Sequence, residues 1–256
     1  MNTGILITAR LGSTRLKKKH LIEVNHRPIL YYQIQRIIKG FEKELGLNNV
    51  KIIIATSDEP ENREFEKFST EGVAVYYGSL SNIPFRHLGS AKTFSLDNIV
   101  AIDGDDILCS VTGMRAVYTA LTKGDRYVKT SNLPFGMNSF GYTTDYLESS
   151  LSNHLNDILE TGWGRIFNSQ DLVDLSIPFS IQNNLLRFTL DYQDDLEFFK
   201  VIIEAFGDKI ISVSDEEIVS FVMANKVYKA NELISKEYWG NFYKNLEEEK
   251  QSSARS

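Results

Sequence analysis

Apolar runs of strand length alternate with segments of helical period along the first half of the chain. "GILITA" (4–9), "VKIIIAT" (50–56), "VAVYY" (73–77) and "NIVAID" (98–103) are continuous apolar runs and predict buried strands. From Pro28, a favourable helix-start residue, to about Leu45, apolar residues fall at Leu30, Ile34, Ile37, Ile38 and Phe41, the spacing of one helix face. "SDEPENREFEKFS" has an acidic first turn and predicts a helix. "IPFRHLGSAKTF" predicts a helix or a loop containing one, and "VTGMRAVYTALTKG" a helix closed by Gly124. Strands apolar on both faces and separated by helices predict an α/β fold with a parallel sheet covered on both sides.

The second half is less regular. "YVKTSNLPFGMNSFGYTTDYL" has turn signals between short strand-like pieces, with exposed-looking aromatics at Phe135, Phe140, Tyr142 and Tyr146. "LLRFTLD" (185–191) predicts a strand. "YQDDLEFFKVIIEAFG" predicts a helix with a core face of Leu196, Phe199, Ile203 and Phe206, and "DEEIVSFVMANK" a further helix. The reading is one domain over residues 1–245, a β-rich insertion at about 126–150, and a polar, flexible tail at 246–256.

The 256 residues suffice for a full core, and 42% hydrophobic with 24% charged is ordinary for a globular chain. A lone cysteine, Cys109, allows no internal disulfide and suits a reducing, cytoplasmic setting. No signal peptide is expected, nor a membrane span, which needs about 18 apolar residues. A net charge of −6 argues against general nucleic-acid binding. Against that background the basic stretch "ITARLGSTRLKKKHL" after the first strand points to a small anionic ligand.

Ligands of parallel sheets bind at the carboxyl ends of the strands, and three polar motifs leave strand ends here. In the first, a Gly-Ser-Thr turn (Gly12, Ser13, Thr14) offers N–H groups and hydroxyls to phosphate oxygens, while Arg15 and Lys19 add charge. A solvated basic loop is the plain alternative. The second, "AIDGDDIL", carries Asp103, Asp105 and Asp106, suited either to a hard divalent cation or to a capped Asp-Gly turn. The third is Asp191 in "RFTLDYQDDLEFF", where Asp194 or Asp195 suffices for helix capping. Asp105 and Asp191 each end an apolar run, where a carboxylate has no packing duty. Together the motifs suit metal-assisted phosphoryl or nucleotidyl transfer. No Walker A sequence, no G-x-G-x-x-G after the first strand, no zinc-ligand spacing and no nucleophile elbow occurs.

These residues resemble a known family. Ala9, Arg10, Ser13, Thr14, Arg15, Leu16, Lys19 and Leu21 match the A-R-x-x-S-T-R-L-P-G-K-x-L signature of the cytidylyltransferases that activate acidic sugars. These include the 3-deoxy-manno-octulosonate and acylneuraminate enzymes, and the spore-coat polysaccharide branch is the most similar. "IIIATSD", "VAVYYGS", "IVAIDGDD" and "LRFTLDYQDDLEFFKVI" resemble later motifs in order. Lys17-Lys18 stands in place of the family's Pro-Gly, and Asp103 in place of its Gln or Thr. The resemblance implies a Rossmann-like nucleotidyltransferase domain with a small β-rich dimerisation element. It implies CTP as substrate, a CMP-activated sugar or sugar acid for surface polysaccharide as product, and pyrophosphate release. By resemblance Ala9, Arg10, Gly12, Ser13 and Thr14 bind the nucleotide, as do Arg86 and Asp103. Arg15, Lys19 and Asp105 are the catalytic set, Asp105 and Asp191 hold Mg²⁺, and the protein is a homodimer. The alternatives are a GTP- or UTP-using transferase and a non-catalytic nucleotide-binding regulator. Trp163 and Arg165 in "ETGWGR" either line an acceptor site or pack as an ordinary Trp and a surface Arg.

Overall fold

The structure is a computed structural model that describes residues 1–181 and 186–253. Its sheet runs in the order β5-β4-β1-β6-β8-β7-β9. The parallel part consists of β1 (Thr3–Thr8), β4 (Val50–Ser57), β5 (Ala74–Gly78) and β6 (Asn98–Asp103). Ile5 of β1 pairs with Ile52 on one side and Val100 on the other. Successive side chains alternate across the sheet, so both faces of these apolar runs are used. Ile5, Ile7, Ile52 and Val100 pack towards α1 (Ile29–Gly40) and α4 (Val111–Thr122), and Leu6, Ile53 and Ile99 pack towards α3 (Ile83–Phe94) and α5 (Thr144–Leu151). A short α2 (Glu42–Gly46) leads into β4. A third cluster gathers α6 (Gln193–Phe206) and α7 (Asp215–Ala224) around Phe188, Phe198 and Ile202.

Several expectations are corrected. Strands β7 (Tyr127–Ser131) and β8 (Phe140–Thr143), expected within a β-rich insertion, belong to the main sheet, where β8 runs antiparallel to β6. Gly141 makes this approach possible, since a Cβ there would lie 2.6 Å from the Ile99 carbonyl oxygen. The edge is β9 (Val173–Ser176), parallel to β7. The separate small sheet is instead the β2–β3 hairpin (Glu23–Val24 with Arg27–Pro28), turning through Asn25 and His26 at φ 48° and 60°. Tyr142 and Tyr146 are buried rather than exposed. The helix expected in "SDEPENREFEKFS" is present, as a 3₁₀ helix over Pro60–Glu71, with Phe65 and Phe68, one such turn apart, both buried.

The strand expected at 185–191 is not one, Leu185 lying outside the described residues. Leu186–Asp191 is an extended segment whose N–H groups serve separate loops: Phe188 donates to the Phe135 carbonyl and Leu190 to that of Asp105, each at 2.8 Å. Gly136 at φ 84° admits this segment, because a Cβ there would meet the Phe188 carbonyl at 2.4 Å. Finally, residues 246–253 of the expected tail continue α8 (Ile234–Ser253). Their polarity concealed a docked element: Glu249 accepts from the Thr161 N–H at 2.8 Å, and Ser253 Oγ from that of Ile158 at 3.2 Å.

Candidate active site

The ends of β1 and β6, the 186–191 segment and α8 enclose a cavity of about 770 Å³. Every site residue read from the sequence reaches it: Ala9, Arg10, Gly12, Ser13, Thr14, Arg15 and Lys19 from the basic loop, then Arg86, Asp103, Asp105 and Asp191. They converge from distant parts of the chain because β1 and β6 are neighbours and Leu190 is tied to the carbonyl of Asp105.

Lys19 is the centre of the charge network. Only 4% exposed, its ammonium lies 2.7 Å from Asp105 Oδ2 and 3.2 Å from Asp191 Oδ1. Burial alone would lower its pKa, but the two carboxylates outweigh burial and the net shift is upward. Arg15 donates to Asp191 Oδ1 at 2.7 Å. His20 Nε2, beneath the loop, lies 2.9 Å from Asp105 Oδ1. Against the desolvation of burial, Lys19 and His20 hold the Asp105 carboxyl well below the usual range. Asp103 opens onto the cavity. The protein packed around it, with Asp105 and Asp191 beside it, pushes its carboxyl up to about 7.

The other members differ in how free they are. Arg10 pairs with Glu160 at 2.8 Å across the cavity mouth. Arg86 lines the wall, but its guanidinium donates to the carbonyls of Ser79 and Leu80 at 2.8 and 3.0 Å, so it also fixes that loop. Burial and nearby Arg10 lower its pKa to about 10. Trp163 lines the cavity, whereas Arg165 braces the 158–161 loop, donating to the Ile158 and Thr161 carbonyls at 2.6 and 2.7 Å.

Sequence reasoning missed the supports. Asn62 holds the basic loop, accepting from the Leu11 N–H at 2.8 Å while donating to Ser57. Gln33 holds the acidic turn, donating to the carbonyls of Asp103 and Asp106, both at 2.8 Å. Gly104 lets that turn lie against β1, since a Cβ there would meet Ala9 Cβ at 2.8 Å and His20 Nε2 at 3.1 Å. Arg187, 1% exposed, donates to Asp191 Oδ2 at 2.8 Å and to Asp195 Oδ1 at 3.0 Å. Asp195 also accepts the N–H groups of Asp191 and Tyr192 at 2.9 and 3.0 Å, which is the helix-start capping expected of the Asp194–Asp195 pair. An Arg four residues before an Asp was the one local signal for the Arg187 contact.

A mostly parallel sheet whose strand ends present a cationic loop facing carboxylates suits an enzyme that acts on a phosphorylated substrate. A model of the family described as cytidylyltransferase matches residues 4–223. A protein of Methanocaldococcus jannaschii, described as uncharacterized, is 30% identical over 230 residues, 88% of this chain and 91% of its own. The chain belongs to the cytidylyltransferase family. Its fold matches a cytidylyltransferase from Leptospira borgpetersenii, with a TM-score of 0.76, 24% identity, and 90% of this chain and 98% of that one covered. It also matches a CMP:2-keto-3-deoxy-manno-octonic acid synthetase complexed with CTP, with a TM-score of 0.55, 12% identity, and 80% and 99% covered. Among the described residues no helix is long and apolar enough to cross a membrane.

Proposed function

We propose that this protein transfers CMP from CTP, with Mg²⁺, to a hydroxyl-bearing sugar or related acceptor, releasing pyrophosphate, in the making of a surface glycan. The observation that carries this reading is the convergence of Arg15 and Lys19 with Asp105 and Asp191 in one cavity. Without a nucleotide the cations and carboxylates satisfy one another. A triphosphate brings charge that competes for Arg15 and Lys19, so both can turn from carboxylate to phosphate with a small change of side-chain geometry. Arg10 follows the same logic at Glu160.

No cluster of three potential metal ligands occurs among the described residues. Asp105 and Asp191 nonetheless fit Mg²⁺ by donor chemistry: both are hard carboxylates, and a single cation, the Lys19 ammonium, already reaches both. Mg²⁺ is commonly held by one or two carboxylates together with substrate phosphates. Bound there, it would neutralise charge on the leaving pyrophosphate. The chain's own part is positioning: Asn62 and Gln33 fix the two loops, and Arg187 fixes Asp191. A homodimer completes the reading and rests on the family resemblance.

The test is pyrophosphate release from each of the four NTPs with a panel of sugars, sugar phosphates and acidic sugars, with and without EDTA. CTP is expected to turn over, and EDTA to stop it. A preference for GTP or UTP would overturn the choice of base, and turnover unaffected by EDTA would overturn the metal.

A further inference from the structure

A row of neutral polar groups runs from the core to the cavity, apart from the charge network. Thr8, the last residue of β1, lines the cavity. Its side chain shares the sheet face of Leu6, which packs towards α3, and there its hydroxyl lies 2.8 Å from Nε2 of His87 on that helix. His87 Nδ1 lies 2.6 Å from the hydroxyl of Tyr142 on β8. His87 and Tyr142 are fully buried, and the Trp163 ring meets the imidazole edge-on with centroids 5.2 Å apart.

This row of bonds has a direction. A neutral imidazole carries a proton on one nitrogen and a lone pair on the other. Burial and the Arg86 charge lower the His87 pKa to about 3, and burial raises that of Tyr142, so both are neutral at neutral pH. Among the described residues the Tyr142 hydroxyl has no hydrogen-bond partner but His87, so only Nδ1 can accept its proton. A buried O–H without an acceptor would bear its whole desolvation cost. Nδ1 therefore holds the lone pair, and Nε2 holds the proton and donates it to the Thr8 oxygen. The Thr8 hydroxyl must then aim its own proton elsewhere. Its main-chain carbonyl is already spent on the Gly104 N–H at 2.8 Å, and among the described residues the hydroxyl has no partner besides His87.

We propose that Thr8 binds the nucleoside part of the nucleotide, its hydroxyl made a fixed donor by His87 and Tyr142 and aimed at a lone pair on the base or ribose. This rests on the cytidylyl-transfer reading and adds to it a contact outside the phosphates. Thr8 directly precedes the basic loop, and the turn that suits phosphate, residues 12–14, begins four residues further on. Thr8, at the strand end beneath that turn, is placed for a different part of the nucleotide. Arg86, next to His87 on α3, lines the same wall. A hydroxyl with no fixed partner can donate or accept, whereas one whose oxygen is already taken offers a proton alone. It rewards a ring nitrogen or oxygen with a lone pair and disfavours an N–H in the same place, which is how a single neutral contact discriminates between substrates. His87 and Tyr142 act through Thr8 and are positioning residues.

The test uses the full chain. Nitrogen NMR of the isotope-labelled wild type reads the histidine rings, with the His87 signals assigned by their loss in His87→Gln. The expected result at neutral pH is a protonated Nε2 and a bare Nδ1, and a proton on Nδ1 instead overturns the proposal. Calorimetry then compares CTP with inorganic tripolyphosphate, each with Mg²⁺. Thr8→Val keeps the shape of the side chain and removes the hydroxyl. It should weaken CTP binding about three- to tenfold, the worth of one neutral hydrogen bond, and leave tripolyphosphate binding within about twofold of wild type. Thr8→Ser should restore CTP binding. Equal CTP affinity in wild type and Thr8→Val overturns the proposal, as does an equal loss for tripolyphosphate, which would mark the change as structural. Absence of CTP binding by the wild type would instead remove the cytidylyl-transfer reading beneath it.

Discussion

Asp191 carries a structural duty the sequence did not suggest. It is 3% exposed, and its two oxygens face Arg15, Lys19 and Arg187. Asp191→Ala would leave the buried Arg187 with Asp195 alone and take one of its two carboxylates from the buried Lys19 ammonium, so it is expected to destabilise and the expectation that it has no packing duty is wrong. Asp105 is the cleaner probe, because its side chain is 29% exposed and Lys19 keeps Asp191 as a partner when Asp105 is neutralised. Asp105→Asn is expected to lower turnover at least about a hundredfold with little change in melting temperature, since positioning and charge stabilisation supply most of such catalysis. Pyrophosphate-release kinetics and a thermal melt check this, and near wild-type kcat at saturating Mg²⁺ would sink it. His87 gives a prediction about pH. Burial, then the Arg86 charge, lowers its pKa from 6.5 to about 3, and its ring nitrogens bond Thr8 and Tyr142. Between those values the unfolded chain takes up a proton that the folded chain refuses. The His87 contribution to stability therefore falls as pH drops from about 6.5 towards 3, by up to about 1.4 kcal/mol per unit, opposed by Asp103, whose raised pKa favours the folded chain as pH falls from about 7. His87→Gln should flatten that slope relative to wild type in denaturant melts at about pH 4–7, and equal slopes would refute the assignment. Arg15, Lys19, Asp105 and Asp191 were legible because charge is rare at the end of an apolar run unless a ligand or an opposite charge meets it there. Asn62, Gln33 and Tyr238 were not, because each acts through partners that only the tertiary fold supplies.

Among the elements, those set by local periodicity follow the sequence closely: β1, β4, β5 and β6, helix α4, and the core faces of α1 and α6. Those that depend on distant partners do not. "RFTLD" has strand composition, but its hydrogen bonds go to Phe135 and Asp105, so it cannot join a ladder. The polar end of α8 reads as a tail until Thr161 and Ile158 provide its partners. The turn before Lys19 shows the opposite case, in which sequence and geometry conflict locally. Lys18 occupies the left-handed region at φ 49°, ψ 34°, at the position where the family signature has Gly. That conformation costs a residue with a Cβ roughly 1–2 kcal/mol, against about 0.4–1 kcal/mol for the added freedom glycine brings to the unfolded chain. Lys18→Gly is thus expected to stabilise by about 0.5–1 kcal/mol, a rise of about 2 °C in a melt. A lower melting temperature would mean that the Lys18–Glu64 pair outweighs the backbone.

For the whole molecule, CTP with Mg²⁺ should raise Tm more than the other nucleotides do. At a hundredfold excess over Kd the linkage is worth about 2.7 kcal/mol, several degrees for a domain of this size. A larger rise with GTP or UTP would reassign the base and leave the reaction class standing. A homodimer should give twice the 29.2 kDa protomer mass in light scattering at micromolar concentration, and a single 29.2 kDa species would exclude it. With Tyr142 and Tyr146 buried, exposed aromatic surface includes Phe135, as expected, and Trp239 and Tyr243 on α8. The place of α8 in the chain has a consequence for biosynthesis. Domains form largely in the order in which they leave the ribosome, so the sheet, the basic loop and both carboxylates can be assembled before residue 234 is translated. The wall that α8 supplies is made after the cradle it closes. A nascent chain would hold the means to grip a triphosphate before it holds a complete cavity.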